Sequence, residues 1–296
     1  MITLLLALPL LLGQQIPPTC YHWCRSERAS HGLVRSGLLR YNRAVRLPFV
    51  GAVTDRSPFK RSRVAWEQLP CWCGNSSDRW LFGRDNHGAP QDYWLCEACG
   101  TVRASPYFDA AALRQFYYDE YRKFYAPEPP GEQIQSEMAR ARDQWRFIRQ
   151  YHQPKTVLDV GCGHGGFLKA SGLTRVVGYD WDSDAVDYGN TQELTLRLGD
   201  AVKDQGHYQL VSLSHVLEHT LKPAEMLQAL KPRIDEGGRL FVEVPHFDMG
   251  KWNWIYHLEM PHAWCFSGQS LRTLVQSCGF RILAGEIPYH QRVICG

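Results

Sequence analysis

The sequence predicts an α/β protein with a Rossmann-like, doubly wound, mostly parallel sheet, preceded by a small zinc-ribbon-like module. An apolar run at residues 156–160 passes directly into a glycine-rich turn, and a second apolar run ends at Asp180. Four closely paired cysteines between residues 71 and 99 predict the module. A chain of 296 residues has room for one large or two modest domains with a buried core.

The glycine-rich turn is the strongest functional signal in the chain. Residues 156–160 are β-branched and apolar apart from Asp159, as expected of a buried central strand. Gly161, Gly163 and two further glycines follow, and a helix is predicted to open at Phe167. Glycine lets the backbone approach a ligand closely, and the start of a helix offers free N–H groups. This strand, turn and helix therefore predict a site for a nucleotide-like ligand.

Two acidic residues narrow the class of ligand. Asp159 lies two residues before the first glycine, where its carboxylate would repel a phosphate and attract a cation. Asp180 ends the next apolar strand, 19 residues after Gly161, and this spacing suits a carboxylate that accepts ribose hydroxyls. Trp181 follows, placed either to stack on an adenine or to pack. The pattern favours a cationic nucleoside over a dinucleotide, although a nicotinamide dehydrogenase remains the rival.

This order of acid, glycine loop and second acid resembles the class I S-adenosylmethionine-dependent methyltransferases. The resemblance continues through Leu196–Asp200, Tyr208–His219 and Leu230–Pro245, and it covers roughly residues 151–288. It implies S-adenosyl-L-methionine as the cofactor. The implied cofactor-binding residues are Asp159, Gly161, Cys162, Gly163, Asp180, Trp181, Asp200, Ala201 and Ser214.

The paired cysteines predict a structural metal centre. Cys71 and Cys73 precede one glycine, and Cys96 and Cys99 precede another. Two thiolate pairs on two turns favour a closed, tetrahedral zinc site. The first pair is one residue shorter than the usual spacing, so four free thiols in a loop-rich subdomain is the alternative.

A cysteine-rich module before such a domain resembles a subset of bacterial methyltransferases that includes sugar C-methyltransferases. That resemblance implies a nucleotide-linked sugar or a related metabolite as the acceptor. The stretch 116–125 is similar to the connector of this subset and is interpreted as a helix. Packing is its expected role, with a lid formed by Tyr117, Tyr118 and Tyr121 as the alternative. An amphipathic helix is predicted for residues 133–151.

A histidine-rich, aromatic segment between residues 246 and 266 is the predicted acceptor site, because such loops at strand ends commonly bind ligands. The resemblance places a base at His262, which precedes Phe266 and Ser267. His257 and His215 are the reserves, and Glu259 is expected to orient the acting imidazole. A histidine satisfied by backbone partners is the alternative. Glu218 and His219 are interpreted as structural.

The end of the chain predicts one helix and one strand. The helix spans residues 270–278, and a sixth strand spans residues 280–286. Such folds finish with a seventh strand, but the chain stops too soon after residue 286 to show one clearly, so a truncated or fragmentary product is expected.

The charge is unevenly distributed along the chain. Residues 20–63 carry ten Lys or Arg and two acids, whereas residues 64–296 carry 23 basic and 28 acidic residues. The acidic balance of the larger part argues against a polyanionic substrate. A small-molecule acceptor is therefore expected, and nucleic acid is not. The alternative function is a zinc-module protein that binds or methylates RNA or a protein partner.

The predicted domains are a disordered basic extension, the cysteine-rich module, a helical connector and the methyltransferase domain. Their bounds are residues 1–63, 64–108, 109–150 and 151–296. A basic arm that binds nucleic acid or lipid is the alternative reading of the extension. The apolar run at residues 2–12 is shorter than the ~20 residues that a membrane span needs. Scattered cysteines predict a reducing, cytoplasmic location. The acceptor and the oligomeric state are undetermined by sequence.

Overall fold

The structure is a computed structural model that describes residues 65–119, 121, 127–251, 254–286 and 290–296. These residues belong to one compact unit within residues 51–296. The predicted extension over residues 1–63 lies outside the described residues, and the proposed domain bounds stay a prediction. No helix among the described residues combines the length and the apolar character that crossing a bilayer requires.

The cysteine-rich region consists of short strands and turns followed by one helix. Its elements are β1 (Trp66–Glu67), β2 (Asp78–Arg84), β3 (Pro90–Cys96), β4 (Val102–Ala104), β5 (Tyr107–Phe108) and α1 (Ala110–Asp119). Strands β2, β3 and β4 form an antiparallel sheet, while β1 pairs with β5. Tyr93 of β3 and both aromatic side chains of β5 are buried, and they belong to the same apolar cluster as one face of the large sheet.

The remaining elements alternate between helix and strand, as the sequence predicts. The helices are α2 (Pro130–Tyr151), α3 (Gly166–Ser171), α4 (Ser183–Asn190), α5 (Pro223–Leu230) and α6 (Gly268–Ser277). The strands are β6 (Thr156–Val160), β7 (Arg175–Asp180), β8 (Leu196–Leu198), β9 (Tyr208–Ser214), β10 (Ile234–Pro245), β11 (Trp264–Cys265), β12 (Ile282–Glu286) and β13 (His290–Cys295).

Seven of these strands form one sheet in the order β12-β13-β10-β9-β6-β7-β8. The strands from β10 to β8 are parallel. All five residues of β6 are buried, because helices cover both faces of the sheet. Helices α2, α3 and α4 contribute to the apolar cluster on one face, and α5 and α6 contribute to the other. The predicted Rossmann-like α/β class is confirmed.

The expectation that no clear seventh strand follows residue 286 is wrong. Strand β13 inserts between β10 and β12 and runs antiparallel to both. Its apolar run is short because Gln291 and Arg292 occupy buried positions. Arg292 pairs there with Asp143 at 2.9 Å and lies over the Phe147 ring. Buried polar groups satisfied by distant partners therefore hide this strand from a search for hydrophobic runs.

The cysteine-rich region and the large sheet are joined through β11. This two-residue strand leaves the aromatic loop after β10 and pairs antiparallel with β4. The hydroxyl of Tyr107 donates to the carbonyl of Met260 at 3.1 Å, and the amide of Asn86 donates to the carbonyl of Leu258 at 2.7 Å. The small region therefore supports the loop that carries the predicted base.

Candidate active site

A cavity of about 1640 Å³ opens at the carboxyl ends of the parallel strands. Crevices at this edge are where open α/β sheets bind their ligands. Each predicted cofactor-binding and catalytic residue contributes to its lining, and the contributors are Asp159, Gly161, Cys162, Gly163, Asp180, Trp181, Asp200, Ala201, Ser214, His215, His257, Glu259 and His262. The fold thus brings into one cavity residues that are more than 100 positions apart.

The glycine turn after β6 requires glycine for two reasons. Gly161 and Gly163 have φ values of 67° and 54°, in the left-handed region. A Cβ atom on Gly161 would also lie 2.5 Å from Cγ2 of Val216. The amides of Gly161 and Cys162 both donate to the carbonyl of Tyr179, which holds the turn against β7. The glycines that mark this turn in the sequence are therefore required by its backbone conformation and its close packing.

Glu137 of α2 occupies the anion position that such a turn normally leaves open. Its carboxylate accepts hydrogen bonds from the backbone amides of His164 at 3.2 Å and Gly166 at 2.9 Å. The Nδ1 atom of His164 lies 2.9 Å from the same carboxylate. A pyrophosphate would have to displace this side chain and face its charge. Sequence reasoning missed Glu137 because nothing in α2 itself marks it as a ligand of the turn.

Asp159 is fully buried beneath the turn. Its pKa is raised to about 7, mainly because the carboxyl group is buried. The hydroxyl of Ser212, which donates a hydrogen bond to it at 2.6 Å, lowers the pKa, and the nearby carboxylates of Glu137 and Asp180 raise it further. Three acids around one turn create a negative field that Arg140 only partly offsets. A positively charged ligand therefore suits this site better than a phosphate does.

The carboxylate of Asp180 lies where β7 ends. It accepts from the amide of Gly163 at 2.8 Å and from the amide of Asp182 at 2.9 Å. Asp182 instead caps α4, with its side chain accepting from the amide of Ala185. This geometry favours Asp180 over Asp182 as the residue that contacts a ribose. Trp181 lies beside it at the cavity, 45% exposed.

Asp200 and Ala201 form the next part of the lining, after β8. The side chain of Asp200 caps a short 3₁₀ turn by accepting from the amide of Val202 at 3.1 Å. On the far side, the hydroxyl of Ser214 accepts a hydrogen bond from Gln144 of α2 at 2.8 Å. These residues surround the turn from both sides, as expected of a cofactor site.

His215 lies between two buried carboxylates. Its Nδ1 atom is 3.3 Å from Glu218 and its Nε2 atom is 3.6 Å from Glu243. Burial alone lowers the pKa of His215, but the two carboxylates outweigh burial and raise it above the ordinary value. A raised pKa favours the protonated imidazole, which makes His215 a poorer proton acceptor than an unperturbed histidine.

His219 and His262 face each other across the other end of the cavity, with ring centroids 4.9 Å apart. The Nδ1 atom of His219 lies 2.9 Å from the carbonyl of Pro261, and that of His262 lies 3.2 Å from the carbonyl of His257. A carbonyl can only accept, so each Nδ1 carries the proton and each Nε2 keeps its lone pair. The interpretation of His219 as structural overlooked this pairing.

The two remaining predicted catalytic residues lie near His262. Glu259 Oε2 is 3.9 Å from His262 Nε2, which is beyond hydrogen-bond distance, so the orienting role of Glu259 stays a prediction. Burial, followed by the effect of His262, lowers the pKa of His257. Tyr117 of α1 and Tyr121, which follows α1, both make edge-type ring contacts with His219 and line the cavity, whereas Tyr118 is exposed. The lid alternative therefore has geometric support for two of its three tyrosines.

The four paired cysteines form a separate candidate metal centre. Sulfur separations are 3.5 Å for Cys71–Cys99 and Cys71–Cys73, and 3.6 Å for Cys73–Cys96. Four thiolates around one zinc ion stand ~3.8 Å apart, given Zn–S bonds of ~2.3 Å. The amide of Gly74 closes the first turn onto the carbonyl of Cys71.

The second cysteine turn closes in the same way. The amide of Gly100 donates to the carbonyl of Cys96, and both glycines that follow the pairs have φ values above 70°. The shorter first spacing therefore still brings its two sulfurs to the cluster. All eight cysteines among the described residues are free of disulfide bonds.

A family sequence model described as "Methyltransferase domain" matches residues 131–284 of this chain. Among curated proteins, the ubiquinone biosynthesis O-methyltransferase of Paraburkholderia phytofirmans is 32% identical over 117 residues, which are 34% of this chain and 48% of that protein. The mitochondrial ubiquinone biosynthesis O-methyltransferase of Candida albicans is 28% identical over 113 residues, which are 33% of this chain and 34% of that protein. The chain thus spans half or less of these relatives' lengths.

Solved structures of methyltransferases are similar at lower identity. Magnesium protoporphyrin IX methyltransferase from Synechocystis, solved with bound S-adenosylhomocysteine, is 18% identical with a TM-score of 0.48. The match covers 63% of this chain and 99% of the Synechocystis chain. Human N-acetylserotonin methyltransferase is 17% identical with a TM-score of 0.44, and the match covers 62% of this chain and 64% of that one.

Proposed function

This chain belongs to the methyltransferase-domain family, and on that premise we propose that it transfers a methyl group from S-adenosyl-L-methionine to a small-molecule acceptor. The observation that carries the proposal is the set of carboxylates around the glycine turn. Glu137 fills the anion position, and Asp159 lies buried beneath it. A cationic sulfonium cofactor fits this arrangement, and a dinucleotide does not.

Each part of the cofactor has a matching group in the cavity. We assign Asp180 to the ribose hydroxyls, and Asp200 with Trp181 to the adenine. The negative field at Asp159 suits the amino group and the sulfonium. When bound, S-adenosylmethionine supplies a methyl group already activated by the positive sulfur. The task of the protein is then to align the acceptor with that group and to remove the acceptor's proton.

The acceptor is proposed to bind between the glycine turn and the histidine-rich loop. In the transfer, a bond forms between the acceptor atom and the methyl carbon while the carbon–sulfur bond breaks with its electron pair staying on sulfur. The acceptor's proton passes to an imidazole of the histidine cluster. We assign the promotion of proton loss to His262, because it lines the cavity and its Nδ1 proton is used on the carbonyl of His257, which leaves the lone pair on Nε2. His257 and Glu259 lie beside it.

A nucleotide-linked sugar or a related metabolite is the proposed acceptor class. The support is the combination of a cysteine-rich module with a loop that carries a histidine ahead of Phe266 and Ser267. The curated relatives are named for ubiquinone biosynthesis, which is also small-molecule chemistry. A zinc ion bound by Cys71, Cys73, Cys96 and Cys99 is the proposed means of stabilising the module, supported by the sulfur separations.

Calorimetric titration tests the cofactor assignment directly. S-adenosylmethionine and S-adenosylhomocysteine are expected to bind, and NAD is expected not to bind. Labelled S-adenosylmethionine incubated with a panel of nucleotide-linked sugars then identifies the acceptor through transfer of the label. Binding of NAD without binding of either S-adenosyl compound would refute the proposal.

The role of His262 is tested by His262→Asn once an acceptor is known. Loss of a group that promotes proton removal is expected to reduce turnover ~100-fold or more, with cofactor affinity nearly unchanged. His207→Asn is the matched control, because His207 is exposed and does not line the cavity. Turnover within a few-fold of wild type would remove His262 from the mechanism.

A further inference from the structure

The facing imidazoles of His219 and His262 belong to a cluster that also contains Glu218. One carboxylate oxygen of Glu218 and one ring nitrogen of each histidine lie within 4.8 Å of one another. Glu218 Oε1 is 3.8 Å from His219 Nε2. Both Nε2 lone pairs are available, since each Nδ1 proton is used on a backbone carbonyl. This is how histidines that bind metal ions are normally oriented.

Glu218 provides a second, independent indication of a ligand. The residue is 1% exposed, and neither oxygen of its carboxylate has a hydrogen-bond partner among the described residues. His215 Nδ1 lies 3.3 Å away, but without the alignment of a hydrogen bond. His215 can offset part of the carboxylate's charge, but both oxygens keep unused lone pairs, and a buried acceptor without a hydrogen bond is costly unless an ion or a ligand occupies it.

The positions of the three residues relative to the cavity agree with a shared ligand. His219 and His262 line the large cavity, and Glu218 lines a small second cavity together with His262. The buried carboxylate of Glu218 therefore lies next to both imidazoles at the wall of the large cavity.

We propose that Glu218, His219 and His262 bind one divalent cation at the acceptor end of the cavity. Two imidazole nitrogens and one carboxylate oxygen suit zinc, manganese, cobalt or iron(II), and such three-residue sites keep open positions for water or substrate. Ligand atoms at ~2.0–2.2 Å from an ion stand ~3–3.6 Å apart, so the three groups must converge slightly on binding.

The chemistry of the acceptor follows from the open positions, and this part rests on the proposed function. An acceptor with two neighbouring oxygen atoms, such as a vicinal diol or a hydroxy-ketone, would occupy the open coordination positions of the cation. A coordinated hydroxyl loses its proton more easily, and His257, which also lines the cavity, is placed to accept that proton. His262 then promotes proton loss as a ligand of the ion.

Metal binding is tested on the full chain, without cofactor or acceptor. Mn²⁺ is followed by electron paramagnetic resonance and Co²⁺ by visible absorption. Manganese prefers oxygen and nitrogen ligands, so it does not report on the four cysteines. Wild-type protein and His207→Asn are expected to bind about one equivalent at this site. His219→Asn, His262→Asn and Glu218→Gln are expected to weaken binding about tenfold or more. Circular dichroism checks that each variant is folded.

The outcomes separate this inference from the proposed function. Failure of wild-type protein to bind Mn²⁺, or equal binding of Mn²⁺ by a folded His262→Asn variant, would overturn the metal site. Loss of turnover in His262→Asn would then still support the proposed function. Metal binding that depends on the three residues supports the site even if no methyl transfer is found.

Discussion

At the scale of single residues, Asp159 makes cofactor binding sensitive to pH. Its pKa is about 7 in the folded protein, so the carboxyl is largely protonated below that pH. A cationic cofactor favours the ionised form, so binding must release a proton when the pH is low. The groups that face Asp159 are Ser212, Glu137, Asp180 and Arg140. The affinity for S-adenosylmethionine is therefore expected to fall below about pH 7, by up to tenfold per pH unit, and to be flat above it.

Titration calorimetry in buffers of different ionisation enthalpy measures both the affinity and the released proton. Asp159→Asn is expected to bind more weakly and to lose the dependence on pH. The free energy of unfolding is also expected to depend on pH through Asp159. Because the folded pKa is raised, the wild-type protein loses stability as the pH rises from about 4 to 7, and the variant does not share that part of the loss. A wild-type affinity that rises toward low pH would contradict the prediction.

At the scale of elements, Glu137 ties helix α2 to the glycine turn. Its carboxylate is hydrogen-bonded to two backbone amides of the turn and to the ring of His164. Glu137→Ala leaves these donors without that partner, so a loss of roughly 1.5–3 kcal/mol in the free energy of unfolding is expected, together with weaker cofactor binding. Chemical denaturation and calorimetry measure the two effects. Glu236→Ala is the control, because Glu236 is exposed near the start of β10. Equal stability of the two variants would exclude this role.

The cysteine-rich module is the second element with a testable contribution. Metal analysis of protein purified without chelators is expected to find a zinc equivalent that Cys96→Ser removes. Strand β11 pairs with β4, so unfolding of the module should also displace the loop that carries His262. Turnover is then expected to fall more than cofactor affinity. Cys278→Ser, a buried thiol outside the cluster, should keep this zinc. A zinc-free protein that is fully folded would refute the structural role.

At the scale of the whole molecule, the basic residues before position 64 lie outside the described part of the chain. Among the described residues, those that line the cavity lie between 67 and 290. Removal of residues 1–63 is therefore expected to leave methyl transfer to a small molecule unchanged, as judged by kcat/KM. The rival function predicts that the same deletion abolishes binding to RNA, which a gel-shift titration measures. A large loss of small-molecule activity would show that the extension contributes to the site.

The sequence by itself determined the parts of this protein that depend on local pattern. The buried strand at residues 156–160, the glycine turn, and the acids at positions 159 and 180 were identifiable because their spacing is dictated by one strand, one turn and one neighbouring strand. The cysteine pairs were visible for the same reason. The carboxyl ends of parallel strands meet at one edge, so the predicted residues share a cavity.

Only the tertiary structure decided the contacts between segments that are distant in sequence. Glu137 reaches the turn from a separate helix, and His219 meets His262 from a loop 43 positions away. Strand β13 escaped detection because the partners of its buried Arg292 come from other elements. The physical reason is common to all three. The energy of a buried polar group depends on which partners the fold brings to it, and residue type and spacing along the chain do not contain that information.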